Sequence, residues 1–186
     1  MASYRTVFGS IAAYEKGSIE IINDDPKHYV YSNVFEVVAS AKPYEKIAVA
    51  KNLEYVIEAI RAEGRSSWMS CAHDEFVVVM DGEVEVELVK LTGDGAPAAD
   101  TPPTALGDTR ASAAKAEPGT VRPGTVRIEG EPQGRRMGRI RLRRGHQALL
   151  PKGAAYRFSA AQPAALIQQT QKGDLTIEKW ADICVR

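Results

Sequence analysis

The sequence predicts a mainly β fold, a sandwich or a small barrel, on three observations. Roughly ten short β-like runs are separated by Gly, Pro, Asn or Asp along the 186 residues. The run Glu83 to Leu91 alternates Val84, Val86 and Leu88 with Glu83, Glu85 and Glu87, as a strand with one wet face does. Only one run, 52–63, changes to a helical period.

Residues 1–17 are mixed and carry no clear signal. Residues 18–22 (Ser-Ile-Glu-Ile-Ile) read as a strand, stopped by Asn23, Asp24, Asp25 and Pro26. Residues 33–39 read as a second strand because they are rich in β-branched and aromatic side chains. Pro43 breaks that run, and 46–51 read as a third strand. In 52–63, Leu53, Val56, Ile57 and Ile60 fall at helical spacing, with Asn52 as N-cap and Gly64 as the stop. This predicts one amphipathic helix.

Residues 70–81 return to strand character, and Asp81-Gly82 reads as a hairpin turn. Residues 92–136 are rich in Ala, Gly, Pro and Thr, too poor in large apolar side chains to offset their ordering entropy. They predict a long, flexible insertion between two hairpin strands, with a short strand near 125–128. The alternative is an arm that orders against a partner. After Met137, Ile140 and Leu142 alternate with Arg139, Arg141 and Arg143. Residues 148–150, 155–160, 164–170 and 174–180 complete the strands. The whole, 1–186, reads as a single domain.

Composition bounds function. Lys plus Arg and Asp plus Glu are both 24, so no net charge draws the chain to nucleic acid or an anionic membrane. Two cysteines, Cys71 and Cys184, make no disulfide framework and favour a reducing cytoplasm. The first twenty residues lack a secretory h-region, and no apolar window is long enough to span a membrane. There is no phosphate-binding Gly loop, Ser-His-Asp set or Cys-x-x-Cys pair.

The chemistry-bearing stretches are 71–82 and 145–156. In the first, Glu75 precedes Gly82 by seven positions; in the second, Gly145 is followed by Pro151 and Gly153. In a regular strand Met69, Cys71, His73 and Glu75 share one face. Cys71, His73 and Glu75 then make either a metal-binding group or a polar core network in which His73 and Glu75 satisfy each other or Tyr156. His73 is also a candidate proton acceptor. Trp68 packs in the core or walls an aromatic-substrate pocket. The cluster Arg135, Arg136, Arg139, Arg141, Arg143 and Arg144 is a solvent face or a surface for an acidic protein partner. Without aromatic interleaving it does not read as a nucleic-acid surface. His28 and His146 read as structural.

The two stretches resemble the paired motifs of the cupin barrel, or jelly roll. Glu75, Gly82, Gly145, Pro151 and Gly153 keep the frame. Where that family's metal-binding members carry two His before the Glu, this chain has Cys71 and Met69, or Ser70 and Trp68; where the second motif has His, it has Tyr156. Further stretches, among them Ile21-Ile22-Asn23-Asp24, Ser32-Asn33-Val34-Phe35-Glu36-Val37, Lys42-Pro43-Tyr44-Glu45-Lys46, Ala72-His73-Asp74-Glu75-Phe76 and Glu178-Lys179-Trp180-Ala181, resemble the small subunit of two-subunit hydroquinone 1,2-dioxygenases. That resemblance implies a cupin-like subunit without metal of its own. It implies an iron-binding large subunit as partner in a heterotetramer, Fe(II) held there, and opening of hydroquinone to 4-hydroxymuconic semialdehyde. The chain alone would be inactive, with no catalytic residue of its own; its pocket candidates are Trp68, His73, Glu75 and Tyr156. The rivals are a self-contained cupin enzyme with a shifted metal site at Cys71, His73 and Glu75, and a metal-free cupin that binds phenolic ligands.

Overall fold

A computed structural model describes residues 20–25, 31–53, 55–92 and 124–180. The expected mainly β, cupin-like architecture is present. Among the described residues one helix, α1 (Val34–Ser40), precedes ten strands that form one sheet. They are β1 (Lys46–Asn52), β2 (Tyr55–Arg65), β3 (Trp68–Ser70), β4 (Glu75–Asp81), β5 (Glu83–Leu91), β6 (Val126–Ile128), β7 (Gly134–Arg143), β8 (Gln147–Leu150), β9 (Ala154–Gln171) and β10 (Thr176–Ile177).

Strand β9 is the spine. Its first half pairs antiparallel with β3 and β5, and its second half with β2 and β4. Outside these, β6 pairs with β3, β7 with β5, β8 with β4, and β1 with β2 and, in parallel, with β10. The sheet curls around an interior of Ile60, Met69, Val77, Val79, Val86, Leu150, Tyr156, Phe158 and Leu166. On the outer face, α1 lays Val37 and Val38 over Ile47, Ala59 and Ala165. Each buried valine contributes about 1.5–3 kcal/mol relative to exposure.

Several expectations are corrected. Of residues 33–39, expected as strand, 34–39 are helical. Asn33 caps α1 by accepting from the Phe35 and Glu36 amides, and Val34, Val37 and Val38 fall on one helical face. The amphipathic helix expected over 52–63 is strand β2. Val56, Glu58, Ile60 and Ala62 are buried at alternate positions, but Ala59 is buried on the other face under α1; that, with buried Glu58 and exposed Leu53 and Ile57, disguises the strand. Glu58 is tolerated inside because Lys46 Nζ lies 3.0 Å away and Thr176 Oγ1 donates at 2.8 Å.

Asp81-Gly82 is not a hairpin turn, since β4 and β5 both pair with β9 rather than with each other. It is a corner. Gly82 sits at φ +83°, where a Cβ would meet the Ala164 Cβ at 2.7 Å, beside the place where Pro163 interrupts the β9 ladder. Residues 155–160 and 164–170 are therefore one bent strand, and of 174–180 only Thr176–Ile177 is strand. Residues 20–22 are not strand; 18–19, like His28 and Cys184, lie outside the described residues.

The insertion leaves after Leu91 and returns to the β5–β7 hairpin at Gly134, its register partner. Its stretch 93–123 lies outside the described residues, but 124–136 belong to the fold, with β6 close to the expected 125–128. Gly124, at φ +87°, passes within 2.7 Å of the Gln171 carbonyl as judged from where its Cβ would stand, so no larger residue fits there.

Candidate functional site

The stretch 68–81 is not one regular strand. Residues 71–74 bend between β3 and β4, yet the bend still gathers Cys71, His73 and Glu75, whose ligand atoms all lie within 4.8 Å of one another. Glu75 and Tyr156 face inward and are both fully buried. Tyr156 donates its hydroxyl to Glu75 Oε2 at 2.6 Å, and Thr125 donates to Glu75 Oε1 at 2.6 Å. Both carboxylate oxygens are accepting short O–H bonds, the arrangement that suits a charged acceptor. Burial, and then the adjacent Glu75 charge, push the Tyr156 phenol well above 10, so it remains a donor.

Gln168, wholly buried on the same strand as Tyr156, donates Nε2 to the phenolic oxygen at 2.9 Å. The phenol's proton is committed to Glu75, so the amide orientation is fixed. Gln168 Oε1 is left without a donor among the described residues.

His73 is half-buried, and its tautomer follows from its partners. Its Nε2 accepts from the Gln171 amide at 3.1 Å, which requires a lone pair there. The neutral ring must then carry its proton on Nδ1, which lies 3.0 Å from Cys71 Sγ. Thr170 Oγ1 stands 3.2 Å from Nε2. Burial pulls the His73 pKa below its ordinary value, against the opposing charges of Glu75 and Asp74. Burial, then the Glu75 charge, push the Cys71 thiol up to about 12. In this arrangement neither imidazole nitrogen offers a free lone pair, the sulfur is a thiol, and the carboxylate is capped by two hydroxyls.

Trp68 is buried elsewhere. It points to the opposite side of β3 from Met69, into a cluster with Val89, Leu91 and Ala155. The Arg157 guanidinium stacks over its ring at 4.2 Å, and its Nε1 donates to Glu131 at 3.2 Å. Arg157 also binds Glu87 at 2.8 Å and Glu131 at 3.2 Å. Burial works to raise the Glu87 pKa, but Arg157, then Arg65 and Arg136, outweigh it and hold the carboxyl below the usual range.

Of the four pocket candidates, the fold thus unites His73, Glu75 and Tyr156 and separates Trp68 from them. Sequence reasoning missed Thr125, Gln168 and Arg157. Thr125 sits at the end of a low-complexity stretch. Arg157 carried a signal, as a charged residue inside the apolar run Ala154-Ala155-Tyr156-Arg157-Phe158, whereas Gln168 begins a polar stretch and carried none.

No protein-family model matches the chain, and no curated protein matches it. Solved structures do. A hydroquinone 1,2-dioxygenase, PnpCD, in complex with Cd2+ and 4-hydroxybenzonitrile has a chain 46% identical, with TM-score 0.74 over 98% of this chain and 97% of that one. The hydroquinone 1,2-dioxygenase from Sphingomonas sp. TTNP3 with 4-hydroxybenzoate bound has a chain 53% identical, with TM-score 0.73 over 97% and 96%. A chain of PnpCD in complex with Fe3+ is 8% identical with TM-score 0.50, covering 76% of this chain but 32% of that one; this likeness is one of fold alone.

Proposed function

Because this chain belongs to the hydroquinone 1,2-dioxygenase family, we propose that it is the small, metal-free subunit of a heteromeric ring-cleaving dioxygenase acting on hydroquinone. The partner is a longer chain that holds Fe(II), and the two associate as a heterotetramer in the cytoplasm. Two chain types under one enzyme name, one matched nearly end to end and one of which this chain covers a third, support that division.

The observation that carries the reading is the internal hydrogen bonding of the Cys71–His73–Glu75 group. Thr125 and Tyr156 take both Glu75 oxygens, and the Gln171 amide fixes His73 with its proton toward Cys71. A zinc or iron site needs deprotonated ligands and an open coordination position. Binding here would require deprotonating a thiol whose pKa is raised to about 12 and breaking the Gln171 bond to turn the tautomer. The engagement of these side chains with one another and with the Gln171 amide supports a metal-free reading.

The iron of the partner would supply activation of oxygen and substrate. This chain's contribution is structural: a rigid barrel that supports the partner's site and helps exclude water from it. The test is co-expression with the longer chain of such an enzyme, followed by metal analysis and hydroquinone turnover. The proposal requires the two chains to purify together, iron to follow the longer chain, and turnover to need both. It fails if the longer chain alone cleaves hydroquinone at full rate.

The compactness of the Cys71, His73 and Glu75 ligand atoms favours one rival, a self-contained metal enzyme. Stoichiometric iron, zinc or manganese in the isolated chain, lost in Cys71→Ala or His73→Ala, would establish it. The other rival, a cupin that only binds phenols, would show saturable uptake of 4-hydroxybenzoate by the isolated chain.

A further inference from the structure

Strands β5 and β7 face each other as a charge ladder. Glu83 stands opposite Arg143, Glu85 opposite Arg141 and Glu87 opposite Arg139. Opposite charges in register stabilise a sheet, and like charges in register destabilise it. The ladder then reverses its logic: Lys90 stands directly opposite Arg135, both exposed. Among the described residues neither has a carboxylate partner.

Acids are already short along this flank. Glu87 is shared by Arg157, Arg65 and, more distantly, Arg136; Glu83 is shared by Arg143 and Arg141. The chain as a whole has no net charge, so this local excess of guanidinium is a property of the surface and not of composition. The outer edge of β7 pairs with nothing among the described residues, and it exposes Met137 and Ile140 beside the arginines. Arg and Met are enriched at protein interfaces, whereas a charged edge meant only to repel other edges needs no exposed Met or Ile.

We propose that the β5–β7 flank is a docking surface for an acidic face of the longer partner chain, with Lys90 and Arg135 among its contacts. This rests on the subunit reading above. The like-charged pair costs the isolated chain stability, and carboxylates from the partner offset that cost on association.

The discriminating variant is Lys90→Glu, which completes the ladder against Arg135. If Lys90 only solvates an edge, the variant stabilises the isolated chain and changes nothing else. The docking role predicts opposite effects. The isolated chain melts at a higher temperature, while its dissociation constant for the longer chain of a hydroquinone 1,2-dioxygenase rises about tenfold or more. Lys90→Glu/Arg135→Glu weakens it further, and wild-type affinity falls as sodium chloride is raised. Leu53→Ser, an exposed apolar change away from this flank, leaves association unaltered. Equal binding by wild type and both charge variants, or affinity insensitive to salt, overturns the inference while leaving the subunit reading intact. Failure of the wild-type chains to associate overturns both.

Discussion

Thr125 and Glu75, fifty positions apart in sequence, meet in a 2.6 Å hydrogen bond inside the barrel. The hydroxyl comes from the returning end of the insertion and the carboxylate from β4. This one contact ties the least regular part of the chain to its most buried acid.

Thr125→Val should therefore destabilise the fold by about 1.5–3 kcal/mol, because an oxygen of a buried carboxylate loses its donor while volume is kept. Tyr156→Phe should cost at least as much, since it strips Glu75 Oε2 and also leaves the Gln168 amide without its acceptor. Urea unfolding measures both. Midpoints and slopes unchanged from wild type would show that Glu75 is satisfied by something other than these hydroxyls.

Cys71 should be inert in the native state. In a Cys184→Ser background, a thiol reagent at pH 8 should label essentially no protein until denaturant is added. A buried thiol with a pKa near 12 presents almost no thiolate at that pH. Rapid labelling of folded protein would contradict both the burial and the assignment of the proton.

The His73 ring should show the Nδ1–H tautomer in 15N spectra and titrate below its ordinary 6.5. The sign for stability follows. The unfolded chain takes up a proton near 6.5, while the folded chain resists until a lower pH. The contribution of His73 to stability is thus fully present above 6.5 and is lost as pH falls through the folded value. Burial sets that value; Glu75 and Asp74 oppose it with their charges, while Cys71 faces the ring as a neutral thiol. A His73→Gln variant whose stability still falls with the wild-type slope below pH 6.5 would remove His73 from this account.

Arg157→Ala should cost about 3–5 kcal/mol, because it leaves Glu87 partly desolvated without its main partner and leaves Glu131 only its bond from Trp68. Trp68 loses the guanidinium stacked on its ring, so its fluorescence should change as well. A stable variant with an unchanged emission spectrum would show that the clamp is not formed in solution.

What could be read from residues alone was the frame. Glu75, Gly82, Gly145, Pro151 and Gly153 fixed the spacing of the two motifs, and the Glu83 to Leu91 alternation fixed one face of β5. The misreadings have physical causes. Strand β2 is covered on both sides over part of its length, by the interior and by α1, so burial there does not follow a simple alternation. Its one buried acid is invisible until Lys46 is brought beside it from β1. In α1 a capping Asn33 and the 34, 37, 38 spacing outweighed the β preference of valine. The Gly82 corner read as a hairpin because positive φ serves both; only the position of β9 decides between them. Thr125 could not be read at all, since its importance comes entirely from a long-range contact.

Strand β9 carries a consequence for how the molecule is made. Four other strands pair with it, and it spans Ala154–Gln171, late in the chain. During synthesis none of those pairings can form until residues 154 onward have left the ribosome. Until then β2, β4 and β5 hold their apolar faces open, a state in which aggregation competes with folding. The barrel therefore assembles late and through distant contacts, and it should fold slowly for its size.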